Sequence, residues 1–311
     1  IYDDVASMEK FGSTGSVQLV TQLDHQGGEA YRFRIEQDQA GTSHSDKVVD
    51  SPVLERLGPV NMSDPKTLSD FISWGMKNFP AERFMLVIAD HGKGWKGLVQ
   101  DETHQGWMSV PQLKEALVQA EMETGRKLNV IGFDACQMAS VEVASQLKDH
   151  AQYMVASQAP EGREGWPYQH ILSQGPLSDL QRAHLFKSDV ESRTAVELVV
   201  NGAAEHSAIL PTMSALDLSQ VGALEAGIQE LSQAMIKTGI GGADLREVRH
   251  QTQAFSFVYD LGDFLDNLAQ LPQDRRSKEL TQAVEKCRDL LEKVVIAEHH
   301  SPEFPRASGL T

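Results

Sequence analysis

Two apolar runs that end in reactive side chains decide the fold. One is Phe84-Met85-Leu86-Val87-Ile88-Ala89 followed by Asp90-His91-Gly92; the other is Leu128-Asn129-Val130-Ile131-Gly132-Phe133 followed by Asp134-Ala135-Cys136. A short continuous apolar run is the pattern of a strand buried on both faces, as in a parallel sheet. Residues 90–127 between them leave room for a crossover helix, predicted over 109–123 with Ser109 as its cap. The two strands can then be neighbours about 4.8 Å apart.

The alternation continues outward. Asp64 predicts a helix cap with Pro65 in the first position, and Leu68, Phe71, Ile72, Met76 and Phe79 recur at helical steps. A helix over 140–148, a short strand over 153–157 and a fourth over 213–218 follow. Toward the start, 16–23 and 29–36 read as paired strands and 37–51 as a polar loop; 92–106 reads as an irregular loop. From residue 219 onward two or three amphipathic helical segments are expected, at about 219–237, 244–270 and 276–298. The fold class is therefore α/β: a mostly parallel sheet between helical layers, with an added C-terminal helical part. The expected division is a core over 1–218 and a mostly helical region over 219–311 packed on it.

Composition narrows the function classes. The chain has 311 residues, 41% of them hydrophobic, enough for a real core. With 28 basic against 44 acidic side chains the net charge is −16, which disfavours nucleic acid and anionic membrane as partners. No run approaches 18 apolar residues, so no membrane-spanning helix is expected. Two cysteines, Cys136 and Cys287, are too few for a disulfide framework and lack zinc-ligand spacing. Cys287 lies in a helical pattern and reads as an ordinary buried or half-buried thiol.

In an open parallel sheet, reactive groups collect beyond the carboxyl ends of the strands. A Cys and a His leaving adjacent strands would share one cleft there, where an imidazole can take the thiol proton and the thiolate can act as nucleophile. Cys136 also precedes a predicted helix, whose amino end favours an anion. Gly92 permits close backbone approach, so the N–H groups of Gly92 and Cys136 are candidate oxyanion donors. Each residue alone has a plainer reading: a lone Cys after a strand is usually a small core residue, and a lone His usually satisfies a hydrogen bond. Only the pair, at two strand ends, raises the chemical reading to an even choice.

Several ordered motifs take it further. Ala89-Asp90-His91-Gly92-Lys93-Gly94-Trp95, Gly132-Phe133-Asp134-Ala135-Cys136-Gln137-Met138, Met154-Val155-Ala156-Ser157-Gln158 and Gly165-Trp166-Pro167-Tyr168 resemble the clostripain family of cysteine peptidases, in the wider caspase and gingipain group. The resemblance is strong over 84–170. It is fainter over 3–13, and returns at Thr212–Leu218, Tyr259–Phe264 and Ala307–Leu310. It implies a caspase-like three-layer α/β/α sandwich and a His91–Cys136 dyad that hydrolyses peptide bonds, commonly after Arg or Lys. The acidic groups of the first specificity pocket would be Asp134 and Glu164, with Trp166 as a wall. Their plainer readings are a strand-end turn residue, a solvated loop charge and a packing aromatic. Lys93 stands where the family places small residues and would alter the cleft rim.

The resemblance also implies self-processing between His91 and Cys136, where Lys93, Lys96, Lys114, Arg126 and Lys127 offer basic sites. It implies an exported protein. It implies a strand before Ile1 and another after Thr311, hence association with a missing or cleaved segment. No cofactor is required for the chemistry, and no metal motif is visible; some members need calcium, for which Asp101-Glu102 is the acidic loop, while His104 beside it reads as solvated. The partners expected are protein or peptide substrates. Competing readings are a non-catalytic or partner-dependent binding module and another thiol amidohydrolase.

Overall fold

The computed structural model describes residues 2–15, 17–25, 28–38, 49–173, 189–206 and 208–311. Helix α1 (Tyr2–Glu9) leads into an antiparallel three-stranded sheet, β1 (Val20–His25), β2 (Glu29–Arg34) and β3 (Val53–Gly58). The pairing of the first two strands agrees with expectation, although β1 starts later. The polar stretch expected as a loop over 37–51 lies largely outside the described residues, and β3 behind it was not anticipated.

Helix α2 (Pro65–Asn78) begins where Asp64 accepts the Lys66 N–H at 2.8 Å. Strand β4 (Met85–Ala89) follows, and the predicted irregular loop after it contains a small hairpin, β5 (Leu98–Asp101) with β6 (Gly106–Met108). Its strands are too short to carry a period-2 signal. Helix α3 (Val110–Thr124) is capped by Ser109 in a capping box with Gln112. Then come β7 (Leu128–Asp134), α4 (Val141–Leu147), β8 (Ala151–Ala156), α5 (Tyr168–Ser173), α6 (Asp189–Ala204) and β9 (Thr212–Asp217).

The later chain is helical with two interruptions. After α7 (Val221–Thr238) and α8 (Gly242–Gln251), a hairpin of β10 (Ala254–Phe255) and β11 (Val258–Tyr259) breaks the helix predicted over 244–270. Ser256 turns the hairpin with φ +63°, a left-handed conformation that ends helical pairing. Helix α9 (Leu261–Ala269) and α10 (Lys278–Val294) follow. Strand β12 (Val295–His300) then re-enters the central sheet, where helix had been expected to 298.

That sheet has the order β12-β9-β8-β7-β4. Its β4–β7 and β7–β8 pairings are parallel and its β8–β9 and β9–β12 pairings antiparallel, so the sheet is mixed. Alternation along β7 splits the core by face. Ile131 and Phe133 join one apolar cluster with Leu113, Leu147, Leu224 and Leu291. Val130 joins the other with Trp166, Val196 and Met213. Helices on both faces make the three layers of a caspase-like α/β/α sandwich. The C-terminal part supplies β12 to the sheet and α7 and α10 to the first cluster.

Candidate active site

Parallel pairing of β4 and β7 sets Ala89 opposite Asp134, and the Asp90 N–H donates to the Asp134 carbonyl at 3.2 Å. His91 and Cys136 are therefore the second residues beyond one shared level. Gly92 makes the next contact: a Cβ there would lie 2.2 Å from the Cys136 carbonyl oxygen and 2.9 Å from its nitrogen. Only glycine lets the His91 loop rest on the Cys136 backbone. The loop folds back on itself, with the Val99 N–H donating to His91 O at 3.0 Å and the Lys93 N–H to Gly97 O at 2.8 Å. These bonds flank the Gly92–Leu98 bridge and leave the Gly92 N–H unspent within the loop. The Asp90 carboxylate accepts the N–H groups of His91 and of Gln100, tying both ends of the loop together. The His91 ring is exposed, 6.2 Å from the Trp107 ring.

Cys136 is half-buried, and its Sγ accepts the Glu161 N–H at 3.3 Å. Gln137 after it adopts φ +63°, uncommon for a residue with a side chain and costly by about 1–3 kcal/mol unless held. It is held: its N–H donates to Ala159 O at 3.2 Å and its Nε2 to Phe255 O at 2.5 Å. The helix expected over 140–148 runs over Val141–Leu147 behind its Ser140 cap, with its first N–H groups taken by Thr311 O and the Ser140 hydroxyl. A helix end acts over about one turn, so α4 is not the source of anion stabilisation at the sulfur.

On the other face, Asp134 is buried. Its oxygens accept the Trp166 N–H at 3.1 Å and the Tyr168 hydroxyl at 2.9 Å. The outer edge of the Trp166 ring packs on β7, so that a Cβ at Gly132 would come 2.7 Å from it. Gly165, at φ +62°, likewise leaves space for the Asp134 carboxylate. Burial raises the Asp134 pKa above the usual carboxylate range. Asp134 and Trp166 thus sit together behind Cys136, whereas Glu164 is exposed and stays outside the group.

A residue not singled out from sequence, Glu161, takes that position. Both of its carboxylate oxygens are shut from solvent, as is Trp166 Nε1, and the side chains that face them are the Asp134 carboxyl and Trp166. Burial, then the charge of Asp134, then that of Cys136 push the Glu161 pKa well up. Asp4 of α1 adds another negative charge that Asp134 senses. Among the described residues no lysine or arginine pairs with Asp134 or Glu161. The sequence did carry one signal: Pro160 just before it fixes the backbone, which a merely solvated glutamate does not require.

The loop bearing Glu161 is anchored by side chains. Thr212 Oγ1 accepts the N–H groups of Gln158 and Ala159, each at 3.0 Å. Gln158 donates Nε2 to Asp260 at 2.9 Å and accepts the Gly309 N–H at 2.9 Å. Asp260, fully buried, also accepts from the N–H groups of Asp263 and Ser308 and from the Ser308 hydroxyl. The acidic loop named for calcium does not fit an ion. The Asp101 carboxylate is spent on the N–H groups of Met62 and His104, and on His104 Nδ1 at 3.1 Å, so His104 closes a turn. Glu9, Asp38 and Asp50 approach within 4.8 Å of one another elsewhere, but Glu9 already accepts from Asp50 N, Ser51 N and Ser51 Oγ.

A profile of the clostripain family (peptidase C11) matches residues 2–296. Clostripain from Hathewaya histolytica is 25% identical over 132 residues, 36% of this chain and 24% of that protein, so the match spans about a quarter of the relative's length. A secreted C11 cysteine protease from Bacteroides thetaiotaomicron superposes with a TM-score of 0.72 at 17% identity, covering 99% of this chain and 86% of that one. The same description from that organism, in complex with an irreversible peptide inhibitor, gives a TM-score of 0.66 at 20% identity, over 96% and 79%. An inactive zymogen C11 protease from Parabacteroides distasonis gives 0.68 at 18%, over 99% and 84%. With a profile match across nearly its whole length, the chain belongs to the clostripain family of C11 cysteine peptidases.

Proposed function

We propose that this chain is a cysteine endopeptidase that cleaves after Arg or Lys with His91 and Cys136 as its dyad. The observation that carries the reading is the seating of Gly92 on the Cys136 backbone, beside a buried acidic group with no basic partner among the described residues. The Cys136 thiolate attacks the scissile carbonyl carbon, and its bond to sulfur forms as the carbonyl electrons move to oxygen. The N–H groups of Gly92 and Cys136 hold that oxyanion. His91 carries the thiol proton to the leaving amine as the C–N bond breaks, and then takes a proton from the water that hydrolyses the thioester.

Asp134 and Glu161 receive the basic side chain, with Trp166 and Tyr168 as walls. A guanidinium or ammonium there relieves the like-charge crowding of two buried carboxyls, which is the source of selectivity. Glu164 adds negative charge at the exposed rim. Proteins or peptides are the substrates, and export fits relatives described as secreted. No described helix is long and apolar enough to cross a membrane. The chemistry needs no cofactor.

An Arg-containing fluorogenic peptide, assayed with and without a thiol alkylator, tests the mechanism. Activity should vanish on alkylation and in Cys136→Ala; activity that survives either refutes it. Self-processing between His91 and Cys136, with or without an associated segment, predicts fragments from the active chain and an intact Cys136→Ala form.

A further inference from the structure

Two cations stand on the loop that carries His91. The loop after β4 exposes Lys93 and Lys96 in a chain of net charge −16. Lys93 Nζ stands 3.3 Å from the centroid of the Trp107 ring, the ring that lies 6.2 Å from the His91 imidazole. That ammonium is therefore within about one Debye length of the imidazole at 0.1 M salt, about 10 Å. Lys96 Nζ stands 3.8 Å from the Phe257 ring and 5.5 Å from that of Trp95, both exposed aromatics. Ring faces hold the two ammonium groups in place, yet leave their N–H bonds available for an anion.

The loop and the β10–β11 hairpin meet at the residue after the nucleophile. A Cβ on Gly94 would lie 3.0 Å from Gln137 O, and Gln137 binds Phe255 through its side chain. The acidic group lies with the core cluster of Trp166 and Tyr168 on the other face of the sheet. The cleft is thus negative on the Asp134 side and positive along the loop that carries His91.

We propose that Lys93 and Lys96 form an anion-selective subsite for the peptide segment following the scissile bond, so that a basic residue before the bond and an acidic one after it make the preferred substrate. The inference rests on the function proposed above and deepens it. An imidazole that protonates the leaving amine must stand beside it, so the residues attached to that amine depart along the His91 loop. A carboxylate there meets two ammonium groups, and a lysine there is repelled by both.

The test uses internally quenched peptides of one sequence, with Arg before the scissile bond and Glu, Gln or Lys in the two positions after it. The expected kcat/KM ratio of Glu to Lys peptide is about tenfold at low ionic strength, the size of two exposed charge pairs, and shrinks several-fold at about 0.5 M NaCl. Lys93→Glu/Lys96→Glu should invert the ratio, and Lys93→Arg/Lys96→Arg should keep it. A ratio within one enzyme does not depend on how much of a variant is folded. A wild-type ratio near one, or a ratio unmoved by charge reversal, overturns this inference while cleavage after Arg stands. Cleavage of none of the peptides, or cleavage that survives Cys136→Ala, overturns the site reading and this inference with it.

Discussion

The two loops that frame the cleft are built differently. The loop after β4, over 90–97, is glycine-rich, mostly exposed and held by backbone hydrogen bonds and the Asp90 carboxylate. The loop after β8, over 157–166, is held by buried side chains: Thr212, Gln158, Asp260 and Asp134. Changes in the first should strike activity with little effect on stability; changes in the second should strike both. The reason is desolvation. A buried polar group left without its partner costs about 1–3 kcal/mol, whereas an exposed one turns to water.

Substitutions at the two loops sharpen this contrast. Gly92→Ala is expected to lower kcat/KM about 100-fold, because its Cβ would displace the loop from Cys136 and misplacing a reacting group by about 1 Å is worth that much. Its melting temperature should fall too, because the Cβ meets backbone, but by less than that of Asp260→Ala, since the glycine-rich loop can shift outward as a unit. Equal loss of stability and activity would mean that Gly92 serves the fold and not the site. Asp260→Ala strands the Gln158 amide, the Asp263 and Ser308 N–H groups and the Ser308 hydroxyl. It should cost about 3–5 kcal/mol, a fall of about 10 °C in melting temperature at about 2–4 °C per kcal/mol. A calorimetric scan unchanged from wild type would show that the network does not bear on the loop.

Glu161→Gln separates binding from stability by pH. The folded pKa of Glu161 lies above its unfolded value, so the folded state holds the extra proton. That contribution is complete below the unfolded pKa of about 4.3 and is lost as pH rises through the folded value. The variant should therefore melt a few degrees above wild type at about pH 8 and level with it near pH 4. Its cleavage after Arg should fall about tenfold, the effect of removing one charge partner from a buried site. A pH-independent difference in melting would place the glutamate in water.

The site was legible in the sequence where chain chemistry is local. Continuous apolar runs gave β4 and β7, residues at fixed offsets from their ends made His91, Gly92 and Cys136 candidates, and the family resemblance added Asp134. The five-stranded sheet was less legible. The direction of β9 follows from tertiary pairing, and β12 continues a helical pattern from α10 without a break in composition. The β10–β11 hairpin is two short pairs around a strained Ser256, below the length at which periodicity speaks. Glu161 was hidden because its meaning comes from what covers it; in sequence it is one of three acidic or basic residues around Gly162.

The account turns on Cys136 and His91 acting as one unit, and parallel kinetics on an Arg peptide test this most directly. Cys136→Ala and His91→Ala should each lower kcat/KM by at least about 10,000-fold, and the double variant should fall no further, since members of one catalytic unit are not additive. Retention of the wild-type rate by either single variant, or a double variant that multiplies the two losses, would contradict it.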